Sequence, residues 1–398
     1  MQNKVVVTGL GLISALGNNV NDCVAAFEKH QSGVAKIKRL KTNHVELSVA
    51  EIKSTNAELA AIAGLSEELS RSILLSYIAT KEAIATLPAN FSADFRTAYI
   101  SATTVGGMDK TETFYENYVD DKNAPNIELI RHHDCGKITD FVAKEIGIKG
   151  MVTTISTACS SSANAIALGT RMIKQNLLDI AIVGGVDALT KFTLNGFNTL
   201  QILDTEQCRP LDESRVGLNL GEGAAYLVLM SENIAKQLNQ EIFCNVVGYH
   251  NANDSFHQTA LSDDAKGPTL AMQGALKKSG LKANDIDYIN MHGTGTRNND
   301  NAEGLAIQSI FKDKIPKLSS TKSFTGHTLG ASGAVEAVFS ALAIKHGIVF
   351  PNYSFEQPME NLSILPEKIF LRHQDINHVM SNSFGFGGNC SSLIFSKE

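Results

Sequence analysis

One cysteine lies where the chain could activate a nucleophile. Cys159 follows an apolar, β-branched run at 151–155 and precedes small residues that turn helical, in the stretch TISTACSSSANAIALG. The thiol is therefore expected where a strand meets a helix. A helix N-terminus carries about half a positive charge, which favours thiolate over thiol, and its backbone N–H groups can stabilise an oxyanion. The pattern predicts a thiol that attacks a carbonyl, although position alone also fits a buried, inert cysteine.

Two histidines lie in comparable loops. His292 ends a strand-like run in YINMHGTGT, and His327 precedes a second small-residue helix in SSTKSFTGHTLGASGA, with Lys322 five residues earlier. Glycine and hydroxyl residues allow such loops to approach a ligand closely. A lone histidine at a strand end is more often structural. Two of them, together with a cysteine in a third such loop, favour a convergent active site.

A fourth stretch with possible function lies near the C-terminus. In SNSFGFGGNCSSLIF, Phe384 and Phe386 are interleaved with glycines, a pattern that we interpret as too flexible for a good strand. A mobile loop with a swinging phenylalanine is typical of a gate. A bulged core strand with two packed rings is the alternative.

The N-terminal stretch TGLGLISALG has the glycine spacing of a dinucleotide-binding turn, but Ser14 replaces its third glycine. No acidic residue closes a clear second strand about twenty positions further on. We therefore interpret Gly9, Gly11 and Gly17 as a tight turn that opens a helix, without a cofactor.

The elements that position these residues alternate between strand and helix. Strand-like runs such as KVVVTG, RTAYISAT, DIAIVGG and AAYLVLM are each followed by helical, small-residue stretches. This alternation predicts an α/β fold with parallel or mixed sheets covered by helices. The helical stretch SENIAKQLNQ separates two such series, so we divide the chain into residues 1–236 and 237–398. The helices after Cys159 and from Gly330 share a faint sequence similarity, which leaves duplication open.

Composition excludes several classes of protein. The chain has 398 residues and a net charge of −6, which argues against general binding to nucleic acid or anionic membranes. No run reaches the roughly 18 apolar residues of a membrane span, and no signal peptide is evident, so a cytoplasmic protein is expected. Six cysteines at irregular spacings predict free thiols without a disulfide framework or a metal site. The basic cluster at residues 36–41 is interpreted as a solvated face.

Seven stretches in this order resemble those of β-ketoacyl-acyl-carrier-protein synthases of the elongating type, members of the thiolase superfamily: VVVTGLGLISALG, TACSSSANAI, VGGVDA, CRPLDESRVGLNLGEGAAYLVL, MHGTGTRNND, STKSFTGHTLGASGAVEA and NSFGFGGN. The resemblance implies a thiolase fold of two similar halves in five αβαβα layers, usually in a homodimer. It also implies decarboxylative condensation of a malonyl unit with an acyl chain, both delivered by acyl-carrier protein. The chain would grow by two carbons in fatty-acid biosynthesis, and neither metal nor redox cofactor would be needed.

The resemblance also assigns expected roles to individual residues. Cys159 would carry the acyl chain as a thioester, and the backbone amides of Cys159 and Phe386 would form its oxyanion hole. His292 and His327 match the pair that assists malonyl decarboxylation and stabilises the enolate. The remaining matches are an essential lysine and a supporting glutamate, hydroxyls that bind the phosphopantetheine arm, and residues of the gate and acyl pocket: Lys322, Glu336, Thr294, Thr296, Phe384, Phe386 and Val105.

Some positions depart from the family pattern and leave alternatives open. Cys390 stands where the family commonly has asparagine, which superficially suggests the second cysteine of thiolases, and RVGLN (215–219) replaces an acidic-glycine-aromatic form. The stretch 192–208 is also short, which could reshape the acyl tunnel. The same condensation in an aryl-polyene or other type II polyketide pathway therefore stays an alternative. A non-catalytic chain-length-factor-like subunit, or a heterodimer with a related subunit, is a further one.

Overall fold

The computed structural model describes residues 3–121, 126–312 and 314–397, which form twelve strands and thirteen α-helices. The strands are β1 Val5–Ser14, β2 Ala35–Lys36, β3 Ser48–Val49, β4 Thr97–Ala102, β5 Met151–Ile155, β6 Ile180–Asp187, β7 Gly223–Ser231, β8 Cys244–Asn253, β9 Tyr288–Asn290, β10 Lys317–Ser319, β11 His378–Gly385 and β12 Asn389–Ser396. The helices are α1 Val20–Glu28, α2 Asn56–Ala63, α3 Arg71–Ala83, α4 Phe91–Asp94, α5 Met108–Asp120, α6 Cys135–Glu145, α7 Ser161–Lys174, α8 Lys191–Thr199, α9 Glu232–Gln237, α10 Lys266–Ser279, α11 Arg297–Phe311, α12 Lys322–Thr325 and α13 Ser332–His346.

The strand order is repeated in the two parts of the chain. Ten strands are hydrogen-bonded in the order β5-β4-β6-β7-β1-β8-β12-β11-β9-β10, and the first five mirror the last five. In each set the three outermost strands are parallel, and the two strands nearest the centre are antiparallel to their neighbours. The sets meet where β1 pairs with β8 through Val6–Asn245 and Val7–Cys244. The predicted α/β thiolase fold with two similar halves is therefore confirmed.

Alternating side chains along the strands separate three helical layers. In β1, Val5 and Val7 pack in a central core with α7 and α13, whereas Val6 packs in an outer core with α2, α3 and α6. In the other set, Ile289 and Met380 face a second outer core that includes α10 and α11. Side chains of successive strand residues point to opposite faces, so one fully buried strand can serve two cores. The result is the expected αβαβα layering.

The proposed division after residue 236 falls in the last turn of α9, before β8 begins at Cys244. This position stays a prediction of where the halves separate. In the described part of the chain, no helix combines the length and the apolar composition that crossing a bilayer requires.

The interpretation of Gly9 and Gly11 as a turn was wrong. Both lie inside β1, and a Cβ atom would lie 2.1 Å from the Ala83 carbonyl oxygen at Gly9 and 1.9 Å from that of Ala79 at Gly11. The two glycines therefore allow the backbone of α3 to approach the strand, a role that glycine spacing alone does not reveal. Gly17 does lie in a turn, since its amide and carbonyl pair with Ser14 before α1 begins.

The interpretation of the C-terminal stretch as too flexible for a strand was also wrong. Phe384 and Gly385 belong to β11 and pair with Cys390 and Asn389 of β12. The two strands form a hairpin whose tight connection is Phe386–Gly388. Gly387 and Gly388 have φ values of +78° and +75°, which residues with a Cβ rarely adopt. The glycines thus close a hairpin whose first strand carries Phe384.

Substitution at Gly11 tests the close approach of α3 to β1. We expect Gly11→Ala to lower the free energy of unfolding by about 3 kcal/mol, because the new methyl group forces the helix away from the strand. Urea-induced unfolding measures the change. Gly196→Ala in α8 is the matched control, since nothing lies within 4 Å of its added Cβ. It should be neutral or slightly stabilising, and an equal loss in both variants would contradict the explanation.

Candidate active site

The cysteine lies in a strained turn between β5 and α7. Ala158, which precedes it, has a φ of +53°, an unusual value for a residue with a Cβ. The Ser161 hydroxyl holds the turn by donating to the Ala158 carbonyl at 2.5 Å and accepting the Thr157 N–H at 2.8 Å. Cys159 itself is only 6% exposed. The small, hydroxyl-rich residues after the cysteine thus fix the direction of its side chain.

The sulfur and the two predicted imidazoles meet at one point. His327 Nε2 lies 3.1 Å from Cys159 Sγ, and the centroids of the His292 and His327 rings are 5.3 Å apart. The ligand atoms of all three side chains lie within 4.8 Å of one another, and all three residues are buried. That spacing would also allow the trio to hold a metal ion such as zinc. The three predicted loops therefore form one site.

The hydrogen bonds behind each imidazole determine its tautomer. The Leu329 N–H donates to His327 Nδ1 at 3.3 Å, and the Ser332 hydroxyl lies 2.9 Å from the same atom. Lys322 Nζ lies 3.3 Å from His292 Nδ1. Because backbone amides and ammonium groups can only donate, both Nδ1 atoms are acceptors. We therefore assign the ring proton of each histidine to Nε2, which in His327 lies 3.1 Å from the sulfur.

A buried ion pair supports this arrangement from behind. The Lys322 ammonium bonds the Glu336 carboxylate, and each residue is 1% exposed. Burial raises the pKa of Glu336, and the adjacent ammonium opposes that shift. Burial, and secondarily the Lys322 charge, holds the pKa values of His292 and His327 well below the usual range. Both imidazoles are therefore neutral at pH 7.

The helix N-terminus does not make Cys159 a resting thiolate, contrary to expectation. Burial raises the pKa of the thiol to about 11, although the Lys322 charge and the Phe386 backbone N–H both favour the anion. Desolvation of a fully buried sulfur outweighs these stabilising contacts. The cysteine is therefore a protonated thiol at neutral pH, surrounded by groups that can stabilise negative charge.

Two buried carboxylates that the sequence did not single out position the site loops. Glu303 accepts the backbone N–H groups of His292 and Gly293 at 2.9 and 2.8 Å, and burial raises the pKa of Glu303 to about 7. Asp187 accepts the N–H groups of Val105 and Gly330 at 3.0 and 2.7 Å. Asp187 is the only charged residue of the quoted motif VGGVDA, which was a usable signal. For Glu303, apart from its place on α11, no nearby sequence feature indicated a role in the site.

Two adjoining cavities reach the sulfur. A cleft of about 360 Å³ contains Cys159, both histidines and the predicted Thr294 and Thr296. A second cavity of about 250 Å³, lined mainly by apolar groups, includes the predicted Val105. Cys159, Phe197 and Phe386 line both spaces. The nucleophile thus lies where the two cavities meet.

The predicted gate residue lies between the cavities. The Phe386 ring stacks on Phe197 with centroids 5.6 Å apart and an angle of 18° between the planes. Phe384 is buried, and its ring centroid lies 5.9 Å from that of His292. Phe386 and its stacking partner Phe197 therefore both line the two cavities.

The departures from the family pattern have distinct positions. Cys390 is buried on β12 and lines neither of the two cavities at Cys159. Val216 and Leu218 line the cleft, whereas Arg215 is buried and donates to the Asp212 carbonyl at 2.8 Å. Phe192 lines the second cavity and is 66% exposed. The changes in residues 215–219 and 192–208 therefore lie at the walls of the substrate spaces.

The raised pKa of Cys159 determines how alkylation responds to pH. Because a thiol with a pKa of about 11 is protonated below that value, its thiolate fraction should rise about tenfold per pH unit between pH 7 and 9. Peptide mass spectrometry after timed iodoacetamide treatment measures alkylation at Cys159. The Cys159→Ser variant provides the background. A plateau below pH 8 would show a stabilised thiolate instead.

Comparison with known proteins agrees with this geometry. Residues 2–235 match the family described as "Beta-ketoacyl synthase, N-terminal domain", and residues 243–356 match "Beta-ketoacyl synthase, C-terminal domain". The 3-oxoacyl-[acyl-carrier-protein] synthase 2 of Staphylococcus aureus (strain COL) is 34% identical over 413 residues, covering 100% of this chain and 99% of that protein. The solved ishigamide ketosynthase/chain length factor is 28% identical with a TM-score of 0.92, and each chain is covered completely. A ketosynthase in complex with its chain length factor from Xenorhabdus doucetiae is 29% identical with a TM-score of 0.84, covering 100% of this chain and 98% of the other. The chain belongs to the β-ketoacyl synthase family.

Proposed function

We propose that this chain condenses malonyl-acyl-carrier protein with an acyl chain held on Cys159, and so extends that chain by two carbons in fatty-acid biosynthesis. The observation that carries the proposal is the meeting of one sulfur and two neutral imidazoles at the junction of two cavities. The relative from Staphylococcus aureus is named for this chemistry. The enzyme is an acyltransferase and acts in the cytoplasm, where reducing conditions keep its six cysteines free.

The first step transfers the acyl group to the enzyme. The sulfur of Cys159 attacks the thioester carbonyl of acyl-phosphopantetheine, the new S–C bond forms, and the pantetheine sulfur leaves with the proton of the thiol. The backbone N–H groups of Cys159 and Phe386, which both favour the anionic sulfur, are placed to stabilise the oxyanion. The acyl chain then occupies the apolar cavity beside Val105.

The second step generates the carbon nucleophile. The malonyl carboxylate leaves as carbon dioxide, and the electron pair of the broken C–C bond forms an enolate. His292 and His327 both line the cleft, and their Nε2–H groups donate to the enolate oxygen. The enolate carbon attacks the acyl-cysteine carbonyl, and the Cys159 sulfur leaves as a thiolate that takes a proton from water.

The other site residues hold substrate or position these donors. Lys322, neutralised by Glu336, keeps His292 Nδ1 an acceptor and so keeps the Nε2 proton in the cleft. The hydroxyls of Thr294 and Thr296 lie on the cleft wall, 2.9 Å apart, where they can bond the amides of the phosphopantetheine arm. Phe386 gates passage between the cleft and the acyl cavity, and Phe384 supports it.

Intact-protein mass spectrometry tests these roles. After incubation with an acyl-carrier-protein substrate, the wild type should gain an acyl mass and Cys159→Ala should gain none. His327→Ala should retain some acylation but lose product formation by about 100-fold or more, because one enolate donor is gone. Cys135→Ala and the exposed His346→Ala are matched controls that should behave as wild type. Unimpaired condensation by His327→Ala would refute its role.

A second candidate is the same condensation in a type II polyketide or aryl-polyene pathway. The solved relatives with 28% and 29% identity are ketosynthases described with chain length factors, and the walls of both substrate spaces depart from the family pattern. Elongation rates with saturated, polyunsaturated and aryl acyl-carrier proteins distinguish the pathways. Preference for saturated chains supports fatty-acid synthesis.

We further propose that the chain functions as a homodimer joined along β5. This strand lies at the end of the sheet, and its first residues, Met151 and Val152, are each 36% exposed. An unpaired edge strand with apolar side chains can pair with another chain. A heterodimer with a related subunit would use the same edge.

Sedimentation velocity tests the dimer. The wild type should sediment as a dimer and Val152→Lys as a monomer, because a charge on the edge strand opposes pairing. Val45→Lys is the matched control, since Val45 is 70% exposed elsewhere on the chain. A monomeric wild type, or a Val152→Lys variant that stays dimeric, would contradict this interface.

A further inference from the structure

The loop from His292 to Arg297 rises from the bottom of the cleft to its mouth. His292 is 2% and Thr294 4% exposed, Thr296 is half-buried, and Arg297 is exposed. All four line the same cleft. The residues of this loop therefore become more exposed in sequence order, from the reacting sulfur at the bottom of the cleft outward to solvent.

Arg297 is the only formally charged side chain on the cleft wall among the described residues, since the two imidazoles are neutral. Within the described ranges, no aspartate or glutamate lines the cleft. The chain has a net charge of −6. An anion can therefore bind at the mouth of the cleft only if a local positive charge attracts it there.

The guanidinium of Arg297 is also free of internal partners. Within the ranges that the structure describes, its side chain has neither a hydrogen bond nor an ion pair, whereas Arg71 bonds Glu222 and Arg215 bonds the Asp212 carbonyl. The Arg297 carbonyl accepts from Arg215 at 3.4 Å, so its backbone is held while its side chain is not. The backbone of Arg297 is therefore held in place, and its planar guanidinium is free to bind a ligand.

We propose that Arg297 binds the phosphodiester of the phosphopantetheine arm at the cleft mouth. This inference rests on the proposed function, in which the thiol end of the arm reaches Cys159 and its amides meet Thr294 and Thr296. The phosphate is the next group outward along the arm, and arginine can bond its oxygens with two parallel N–H donors. Arg297 is therefore a substrate-positioning residue that discriminates phosphorylated from unphosphorylated donors.

Acylation rates with matched donors test this role. The same acyl group is supplied on phosphopantetheine, on pantetheine and on carrier protein, and adduct formation at Cys159 gives kcat and KM. Arg297→Gln should raise KM about threefold to tenfold for the phosphopantetheine and carrier-protein donors, with kcat and the pantetheine donor unchanged. Arg297→Lys should retain part of the preference, and added salt should reduce it. Arg39→Gln, an exposed arginine away from the cleft, is the matched control.

The outcomes separate this proposal from the function on which it rests. An equal loss with both free donors, or no loss with either, overturns the phosphate contact. A loss with free phosphopantetheine but not with carrier protein overturns its use on the carrier-bound arm. Failure of every donor to acylate wild-type Cys159 would instead refute the proposed function. Dissociation constants of phosphopantetheine and pantetheine for Cys159→Ala make the same comparison without a reaction.

Discussion

The site depends on two buried imidazoles that stay neutral and carry their ring protons on Nε2. Lys322 contributes to both conditions, because its charge lowers the pKa values of His292 and His327 and its ammonium occupies His292 Nδ1. A buried cation alone would be costly, and the Glu336 carboxylate beside it offsets that cost. Removing either member would leave an uncompensated charge beside the reacting groups. In the proposed mechanism, the ion pair therefore sets the charge and tautomer of the imidazoles and does not itself react.

The repeated strand order explains how distant segments supply one site. The loops that follow equivalent strands of the two halves meet around the sulfur, where they line the two cavities or bond their walls. After β4 and β9 come Val105 and His292, after β5 and β10 come Cys159 and Lys322, and at the ends of β6 and β11 lie Asp187 and Phe386. One half thus contributes the proposed nucleophile and acyl pocket. The other contributes the proposed enolate donors and gate.

The site was predictable from sequence where its chemistry is local, and the missed parts depend on packing across the chain. Small residues around Cys159 and glycines around His292 mark loops that approach ligands, and both signals are visible within ten residues. Gly9 and Gly11 were misinterpreted because their partner is the backbone of α3, about seventy residues away. Glu303 was missed because it bonds backbone N–H groups, which leave no trace in sequence. Likewise, burial of the sulfur reverses the pKa shift that a helix N-terminus suggests.

A thiol with a raised pKa suits this chemistry because the surrounding donors act on charge that exists only during the reaction. The burial that keeps Cys159 protonated also shields the sulfur from solvent, which strengthens hydrogen bonds made beside it. In the proposed reaction, the Phe386 N–H and the two imidazoles would gain their strongest bonds when an oxyanion or enolate forms. Stabilising a resting thiolate with the same donors would lower the energy of the ground state and the transition state together. A protonated sulfur at rest therefore leaves more of that binding energy for the intermediates.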